Sequence, residues 1–134
     1  LTNTQALQGE QLFTSASCVK CHAPTLTTSA YHPLAELRNQ TIHPYTDLLL
    51  HDLGPGLADN MGEGVATGSE WRTSPLWSIG LTAGVSGGEA YLHDGRAPTL
   101  RDVLTRYHVP EKLAGARPLS PAELDALIDY LGTL

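Results

Sequence analysis

Two cysteines and a histidine in the stretch Cys18-Val19-Lys20-Cys21-His22 constrain this chain more than any other feature. Their spacing, C-x-x-C-H, is the attachment signature of a c-type haem. Two thiols three positions apart suit addition to the two vinyl groups of one porphyrin, and the imidazole that follows is a standard iron ligand. The motif therefore predicts one covalent haem c, anchored by Cys18 and Cys21, with His22 as the proximal iron ligand.

Two other kinds of site share part of this pattern. A structural zinc site usually takes four nitrogen or sulfur ligands from two clusters, and the sequence has no third cysteine. A thioredoxin-like redox pair requires a surrounding βαβ pattern, which is not visible in this chain. With both thiols used by the haem, no disulfide is expected.

The size and charge of the chain fit one small haem domain. Its 134 residues favour a single domain over 1–134, and its 41% hydrophobic content is a little low unless a haem adds to the core. The formal charge of −6 argues against nucleic-acid binding, which needs a basic footprint. No apolar run reaches the roughly 18 residues of a membrane span.

The start of the chain bears on where the protein works. The chain begins at Leu1 and shows no signal peptide, which predicts a mature protein or an excised domain. Because covalent haem attachment normally takes place outside the bacterial cytoplasm, we expect an exported, periplasmic protein. Acidic cytochromes usually meet their partners through complementary charge, but net charge alone names none.

Three stretches carry apolar residues at helical spacing, and each begins with residues that cap helices. The last of them opens with Ser120, Pro121 and Glu123, a capping box with proline at the first helical position. Gly9, inside the first stretch, costs about 1 kcal/mol relative to alanine and often marks the close approach of another backbone. The predicted helices cover residues 3 to 14, 99 to 108 and 120 to 131.

The first and last helices resemble those of the cytochrome c fold. In that fold a glycine and an aromatic residue precede C-x-x-C-H, and the last helix crosses the first with an aromatic near its end. Gly9, Phe13 and Tyr130 match these positions. Residues 23 to 80 are mostly loop, in which residues 47 to 52 suit one helical turn or a short buried segment. The predicted fold class is all-α, a cytochrome c-like domain with long irregular loops around one haem.

Three further motifs resemble those of one family. Residues 44 to 59 look like a segment of the bacterial di-haem oxidoreductases, also called thiol oxidoreductase-like proteins. Residues 70 to 77 resemble that family's Glu-Trp-Arg-Thr-Pro-Pro-Leu-Trp, with Ser74 in place of the first proline, and residues 91 to 97 match its Tyr-Leu-His-Asp-Gly-Arg-Ala. More distantly, the chain resembles the C-terminal cytochrome c domain of di-haem cytochrome c peroxidases and MauG. Family members are several times longer and carry two C-x-x-C-H motifs, whereas this chain has one.

The resemblance also implies where the sixth iron ligand lies. In the superfamily it follows the arginine of the His-Asp-Gly motif by eleven residues, which leads from Arg96 to Tyr107, with His108 next to it. Peroxidases place methionine there, MauG places tyrosine, and many di-haem oxidoreductases place histidine. Met61, the only methionine, is the alternative distal ligand, because His–Met ligation is common in cytochromes c. An open site or another histidine is the remaining possibility.

Five further residues are candidates for contact with the haem. Trp71 and Trp77, the only tryptophans, either pack on the porphyrin edge or fill the core. Arg72 and Arg96 suit the haem propionates, because arginine can bind a carboxylate through two hydrogen bonds, and each is otherwise a surface residue. His93, next to an aspartate, either orients a loop over the haem and tunes its potential, or only stabilises the loop.

These features favour one-electron transfer through a covalent haem, as part of a di-haem oxidoreductase. In the superfamily's peroxidases the peroxide-reacting haem lies in the other domain, and the C-terminal haem transfers electrons. The expected partner is a redox protein or a second haem domain. The alternative is a peroxidase or MauG-like enzyme with an open or displaceable sixth iron position, so the question of enzymatic activity stays open. A haem-based sensor ranks last, because no output domain is visible.

Overall fold

The core of the protein is the crossing of its first and last long helices. A computed structural model of the chain describes residues 3–113 and 115–134. In it, α1 spans Thr4–Ser15 and α5 spans Pro121–Leu131. Phe13, Leu127 and Tyr130 are buried in the cluster that these helices form. The helices predicted at the two ends of the chain are therefore confirmed.

Gly9 is the point at which the two helices meet most closely. A Cβ atom at this position would overlap the carbonyl oxygen of Ala126 and lie 2.6 Å from Cβ of Tyr130. Only a residue without a side chain allows this approach. The close backbone contact predicted at Gly9 is confirmed.

Short elements make up the other helical parts of the chain. The predicted helix at 99 to 108 is interrupted: Thr99 caps its start by accepting a hydrogen bond from the backbone N–H of Asp102, but its second half widens into a π turn. Within the described residues, no helix is long and apolar enough to cross a bilayer. The remaining helices are α2 (Thr82–Ser86), α3 (Leu100–Asp102) with the π turn Val103–Tyr107, and α4 (Pro110–Leu113); 3₁₀ turns cover Cys18–Lys20, Ala35–Leu37 and Ile79–Leu81.

The prediction of an all-α fold is wrong. Helices hold 36% and strands 11% of the described residues, and the strands form two small antiparallel sheets, which makes the fold mixed α and β. Strands of two or three residues are too short to show an alternation of apolar and polar side chains, so the sequence appeared as loop. In one sheet β1 (Leu26–Thr27) pairs with β2 (Thr41–Ile42), and in the other β3 (Leu50–Asp52) pairs with β4 (Glu70–Arg72).

Residues 47 to 52 form neither a helical turn nor a buried segment. Their second half is β3, and the three leucines at 48 to 50 are 48 to 60% exposed. Tyr45 and Leu48 adopt left-handed backbone conformations, with φ of 54° and 61°, which no helix accommodates. The run of three leucines suggested burial or a helical turn, but the chain turns at Tyr45 and Leu48, and the leucines lie partly at the surface.

The start of α5 is fixed by the predicted capping box. The hydroxyl of Ser120 accepts a hydrogen bond from the backbone N–H of Glu123 at 3.3 Å, and the Glu123 carboxylate accepts one from the Ser120 N–H at 2.9 Å. We expect Ser120→Ala to lower the free energy of unfolding by about 1 kcal/mol, because the first turn loses an acceptor. Denaturant unfolding measures this, with Ser120→Thr, which keeps the hydroxyl, as the control. An alanine variant as stable as the unchanged protein would contradict the capping role.

Candidate haem site

The C-x-x-C-H segment forms one tight turn directly after α1. Ser17, with φ of 64°, ends the helix, and the backbone N–H of His22 donates to the carbonyl of Cys18 at 2.9 Å. Both cysteines are free and partly buried. Burial raises the pKa of the Cys18 thiol to about 11 and raises that of Cys21 as well. The turn therefore presents two neutral thiols and an imidazole from five adjacent residues.

The His22 imidazole is oriented by a backbone carbonyl. Its Nδ1 lies 3.0 Å from the carbonyl oxygen of Tyr45, so Nδ1 carries the proton and donates it to this hydrogen bond. Nε2 is then the unprotonated nitrogen, which is the form that binds a metal. Burial lowers the pKa of His22, which favours this neutral form. The tautomer is the one that a proximal haem ligand requires.

The core at the helix crossing supports the residue that orients His22. The ring of Tyr45 lies against that of Phe13, with 5.8 Å between centroids, and the Tyr130 hydroxyl donates to the Tyr45 hydroxyl at 3.0 Å. Phe13 belongs to α1 and Tyr130 to α5. Packing of the two helices thus sets the position of the His22 ring.

A second imidazole, that of His108, lies beside the His22 ring. The ring centroids of His22 and His108 are 6.1 Å apart, with 75° between the ring planes. When two imidazoles bind the same first-row metal ion from opposite sides, each at about 2 Å, their ring centroids are roughly 6 Å apart. Burial, followed by the nearby His22, lowers the pKa of His108 to about 4, so this ring is also neutral.

The π turn explains why His108 occupies this place. The backbone N–H of His108 donates to the carbonyl of Val103 at 2.7 Å, five residues back, so the turn holds one residue more than a turn of α-helix. Tyr107 is partly buried, with the guanidinium carbon of Arg106 5.9 Å from its ring centroid. The Met61 side chain is 73% exposed. Of the aromatic side chains described, Phe13 and His108 lie against the His22 ring.

Trp71 and His93, two of the predicted haem contacts, come together. Their rings are stacked, with 19° between the planes and 3.3 Å between the centroids. Nε1 of Trp71 is a buried nitrogen that has no hydrogen-bond partner among the described residues. An unpaired buried donor costs about 1–3 kcal/mol. The indole N–H therefore requires an acceptor, and a haem propionate has the right chemistry.

No interaction among the described residues connects the other predicted haem contacts, Arg72, Arg96 and Trp77, with the stacked Trp71 and His93 rings. Arg96 already has two partners: its Nε donates to the Asp94 carboxylate at 2.6 Å in the same loop, and its NH1 donates to the carbonyl of Gly56, 40 residues away, at 3.0 Å. Arg72 lies exposed in β4, and Trp77 is 53% exposed. Their predicted contacts with the haem therefore stay predictions.

Two residues beside the C-x-x-C-H turn, Asp47 and His51, were not predicted as part of the site. Nε2 of His51 lies 2.7 Å from a carboxylate oxygen of Asp47, and Nδ1 of His51 lies 3.9 Å from Sγ of Cys21. No local spacing connects His51 with Cys21, because the contact crosses 30 residues of chain. The four-residue spacing of Asp47 and His51 was the one available signal, and it was weak in a segment without a helix.

The residues present fit a c-type haem. The turn offers two free thiols and an imidazole with its Nε2 available, and a second neutral imidazole lies beside the first. The buried indole N–H of Trp71, another predicted contact, has no acceptor among the described residues. The donor set, two imidazole nitrogens, is one that haem iron accepts.

Comparison with known proteins agrees with this chemistry. The chain matches, over residues 1–134, the model of a family described as "Di-haem oxidoreductase, putative peroxidase". A search of curated proteins and a search of solved structures each gave no match. The resemblance carried by the three sequence motifs is confirmed, and a haem-related oxidoreductase function follows from it. The chain belongs to the di-haem oxidoreductase family.

Proposed function

We propose that this chain transfers single electrons through one haem, attached to Cys18 and Cys21, with His22 and His108 as the axial ligands. The observation that carries the proposal is the 6.1 Å between the two imidazole centroids beside the C-x-x-C-H turn. When bound, the haem supplies the ferric/ferrous couple. The chain contributes ligands, burial and hydrogen bonds that set the potential.

The two histidines are suited to act as a matched pair of ligands. Burial lowers the pKa of both rings, so each offers a neutral nitrogen at neutral pH. The hydrogen bond to the Tyr45 carbonyl fixes the plane of the His22 ring and strengthens it as a donor. If both imidazoles held the iron, no coordination position would be left for peroxide or oxygen. Electron transfer is then the chemistry that the site supports.

We further propose that the electron passes to or from a second haem, in another domain or in a partner protein. The family is described as di-haem, whereas this chain has two cysteines and hence one C-x-x-C-H motif. An exported, periplasmic location belongs to the same proposal, because covalent haem attachment normally takes place outside the bacterial cytoplasm.

Absorption and electron paramagnetic resonance spectra of the ferric protein test the ligand assignment. We expect low-spin iron in the unchanged protein. His108→Ala should convert it to high spin, because the sixth nitrogen is removed. Tyr107→Phe and Met61→Ala are the matched controls, since each removes one competing donor, and both should leave the iron low-spin.

Other outcomes point to different chemistry. A high-spin spectrum in the unchanged protein, or rapid binding of cyanide or carbon monoxide, would sink the six-coordinate proposal and favour a peroxidase or MauG-like enzyme. Loss of the low-spin signal in Tyr107→Phe or Met61→Ala, with His108→Ala unaffected, would assign the sixth position to that residue instead.

A further inference from the structure

We propose that His51, oriented by Asp47, is the base that activates the Cys21 thiol for its covalent attachment to the haem. The inference rests on the proposed function, because it concerns the step that joins the chain to its cofactor. It gives a chemical role to two residues that electron transfer itself does not use.

Cys21, His51 and Asp47 form a series of thiol, imidazole and carboxylate. The Asp47 carboxylate lies 2.7 Å from Nε2 of His51, and Nδ1 of His51 lies 3.9 Å from Sγ of Cys21. A carboxylate beside Nε2 keeps the proton on that nitrogen, so the lone pair of Nδ1 faces the thiol. Nucleophile, base and orienting carboxylate in this order are the arrangement by which proteins activate a thiol. Such contacts are often long before the reactant binds.

The segment that carries Asp47 and continues into β3 with His51 is hydrogen-bonded to the residue that follows the C-x-x-C-H turn. Thr46 is fully buried, and its hydroxyl donates to the carbonyl of Thr73 at 2.7 Å. The backbone N–H of Thr46 donates to the carbonyl of Ala23 at 3.0 Å, directly after the C-x-x-C-H motif. A second oxygen of the Asp47 carboxylate accepts a backbone N–H at 2.9 Å. These bonds hold the base against one face of the turn.

The base serves one thiol and not the other. The hydrogen bonds described for the His51 ring go to Cys21 and Asp47. Cys18, in contrast, packs against the buried cluster of α1 and α5. We therefore expect the haem to become attached to Cys21 faster when His51 is present than when it is replaced. The rate of attachment to Cys18 should not depend on His51.

The reaction is an addition that consumes no oxidant or reductant. His51 takes the thiol proton through Nδ1, the Cys21 sulfur bonds to the inner carbon of a porphyrin vinyl group, and His51 returns the proton to the outer carbon. An S–H bond and the vinyl π bond break, while a C–S and a C–H bond form. Asp47 stabilises the imidazolium while His51 holds the proton.

A metal site is the other chemistry that these residue types allow. Their candidate ligand atoms all lie within 4.8 Å of one another. However, Cys21 lies beside Nδ1 of the His51 ring and Asp47 lies beside its Nε2. Because the two groups are on opposite nitrogens, the arrangement suits proton transfer through the ring, whereas a metal site needs its donor atoms around one ion. The geometry favours the base.

Attachment of reduced haem to the full haem-free chain in vitro tests the proposal. Two single-cysteine backgrounds separate the thiols: Cys18→Ala leaves only Cys21, and Cys21→Ala leaves only Cys18. The rate of thioether formation is followed by haem retained under denaturing conditions and by the spectral shift that accompanies saturation of a vinyl group. We expect His51→Gln to slow attachment at Cys21 about tenfold or more and to leave attachment at Cys18 unchanged.

Two further variants sharpen the test. Asp47→Asn should slow attachment of the haem at Cys21, because the neutral asparagine does not stabilise the imidazolium form of His51. His43→Gln is the matched control, since His43 lies in the same region but bonds to the Thr25 hydroxyl, and it should change neither rate.

Two results would overturn the base assignment. Equal slowing at both thiols by His51→Gln would mean that His51 acts through the fold, and an unchanged rate at Cys21 would mean that it does not act at all. If the chain with both cysteines forms no thioether under any condition, the covalent haem of the proposed function fails, and this inference fails with it.

Discussion

Replacing Gly9 with alanine is expected to lower the free energy of unfolding by about 3 kcal/mol. The new methyl group would overlap the Ala126 carbonyl oxygen and lie 2.6 Å from Cβ of Tyr130. Neither atom can move aside by rotating a side chain, so α1 and α5 must separate and lose packing along their crossing. Helix propensity alone would make alanine the better residue by about 1 kcal/mol. A loss of stability would therefore come from the crossing and not from α1 itself.

Gly84→Ala is the matched control for this experiment. Gly84 lies inside α2, and a Cβ atom there would meet no atom of the described residues within 4 Å. We expect its free energy of unfolding to be unchanged or slightly higher, because alanine favours the helix. Denaturant unfolding followed by circular dichroism measures both variants. Equal stability of Gly9→Ala and the unchanged protein would contradict the close crossing.

In the haem-free chain, we expect protonation of His108 to lower the free energy of unfolding by about 3 kcal/mol as the pH drops from 6.5 to about 4. Burial, and then the proximity of His22, lowers the pKa of His108 from 6.5 to about 4 in the folded chain. Between these values the unfolded chain binds more protons than the folded chain, so stability rises with pH and is lost on acidification. Below about pH 4 His108 is protonated in both the folded and the unfolded chain, so its contribution to the free energy of unfolding falls no further.

His108→Gln separates this effect from the titration of carboxyl groups. The variant keeps a polar side chain of similar size but cannot take up the proton. Its stability should therefore decline less than that of the unchanged protein over the same pH range. Denaturant unfolding at several pH values between 4 and 7 makes the comparison. Parallel curves for the two proteins would show that His108 is not held neutral by the fold.

The two ends of the chain could be predicted because their signals are local. Apolar spacing identified α1 and α5, a four-residue capping box located the start of α5, and an unfavourable glycine identified the crossing. Each signal lies within one or two helical turns. The C-x-x-C-H turn was predictable for the same reason, since five adjacent residues define it.

The middle of the chain could not be predicted because its structure depends on pairing between distant segments. β3 at residues 50–52 meets β4 at residues 70–72, and neither strand is long enough to show alternation. The three leucines at 48 to 50 suggested burial, yet the left-handed turns at Tyr45 and Leu48 leave them about half exposed. The contact of His51 with Cys21 joins segments 30 residues apart and was missed for the same reason.

Because the turn at Val103–Tyr107 contains one residue more than an α-helical turn, the number of residues in this turn decides which side chain lies beside His22. In an ordinary helix the N–H that bonds to the Val103 carbonyl belongs to residue 107, a tyrosine, whereas here it belongs to His108. A relative lacking one residue of this turn could present the same histidine from a regular helix. An alignment without a gap would then place that histidine opposite Tyr107. The loss of a single codon would make two proteins that both place a histidine beside His22 look like a histidine type and a tyrosine type.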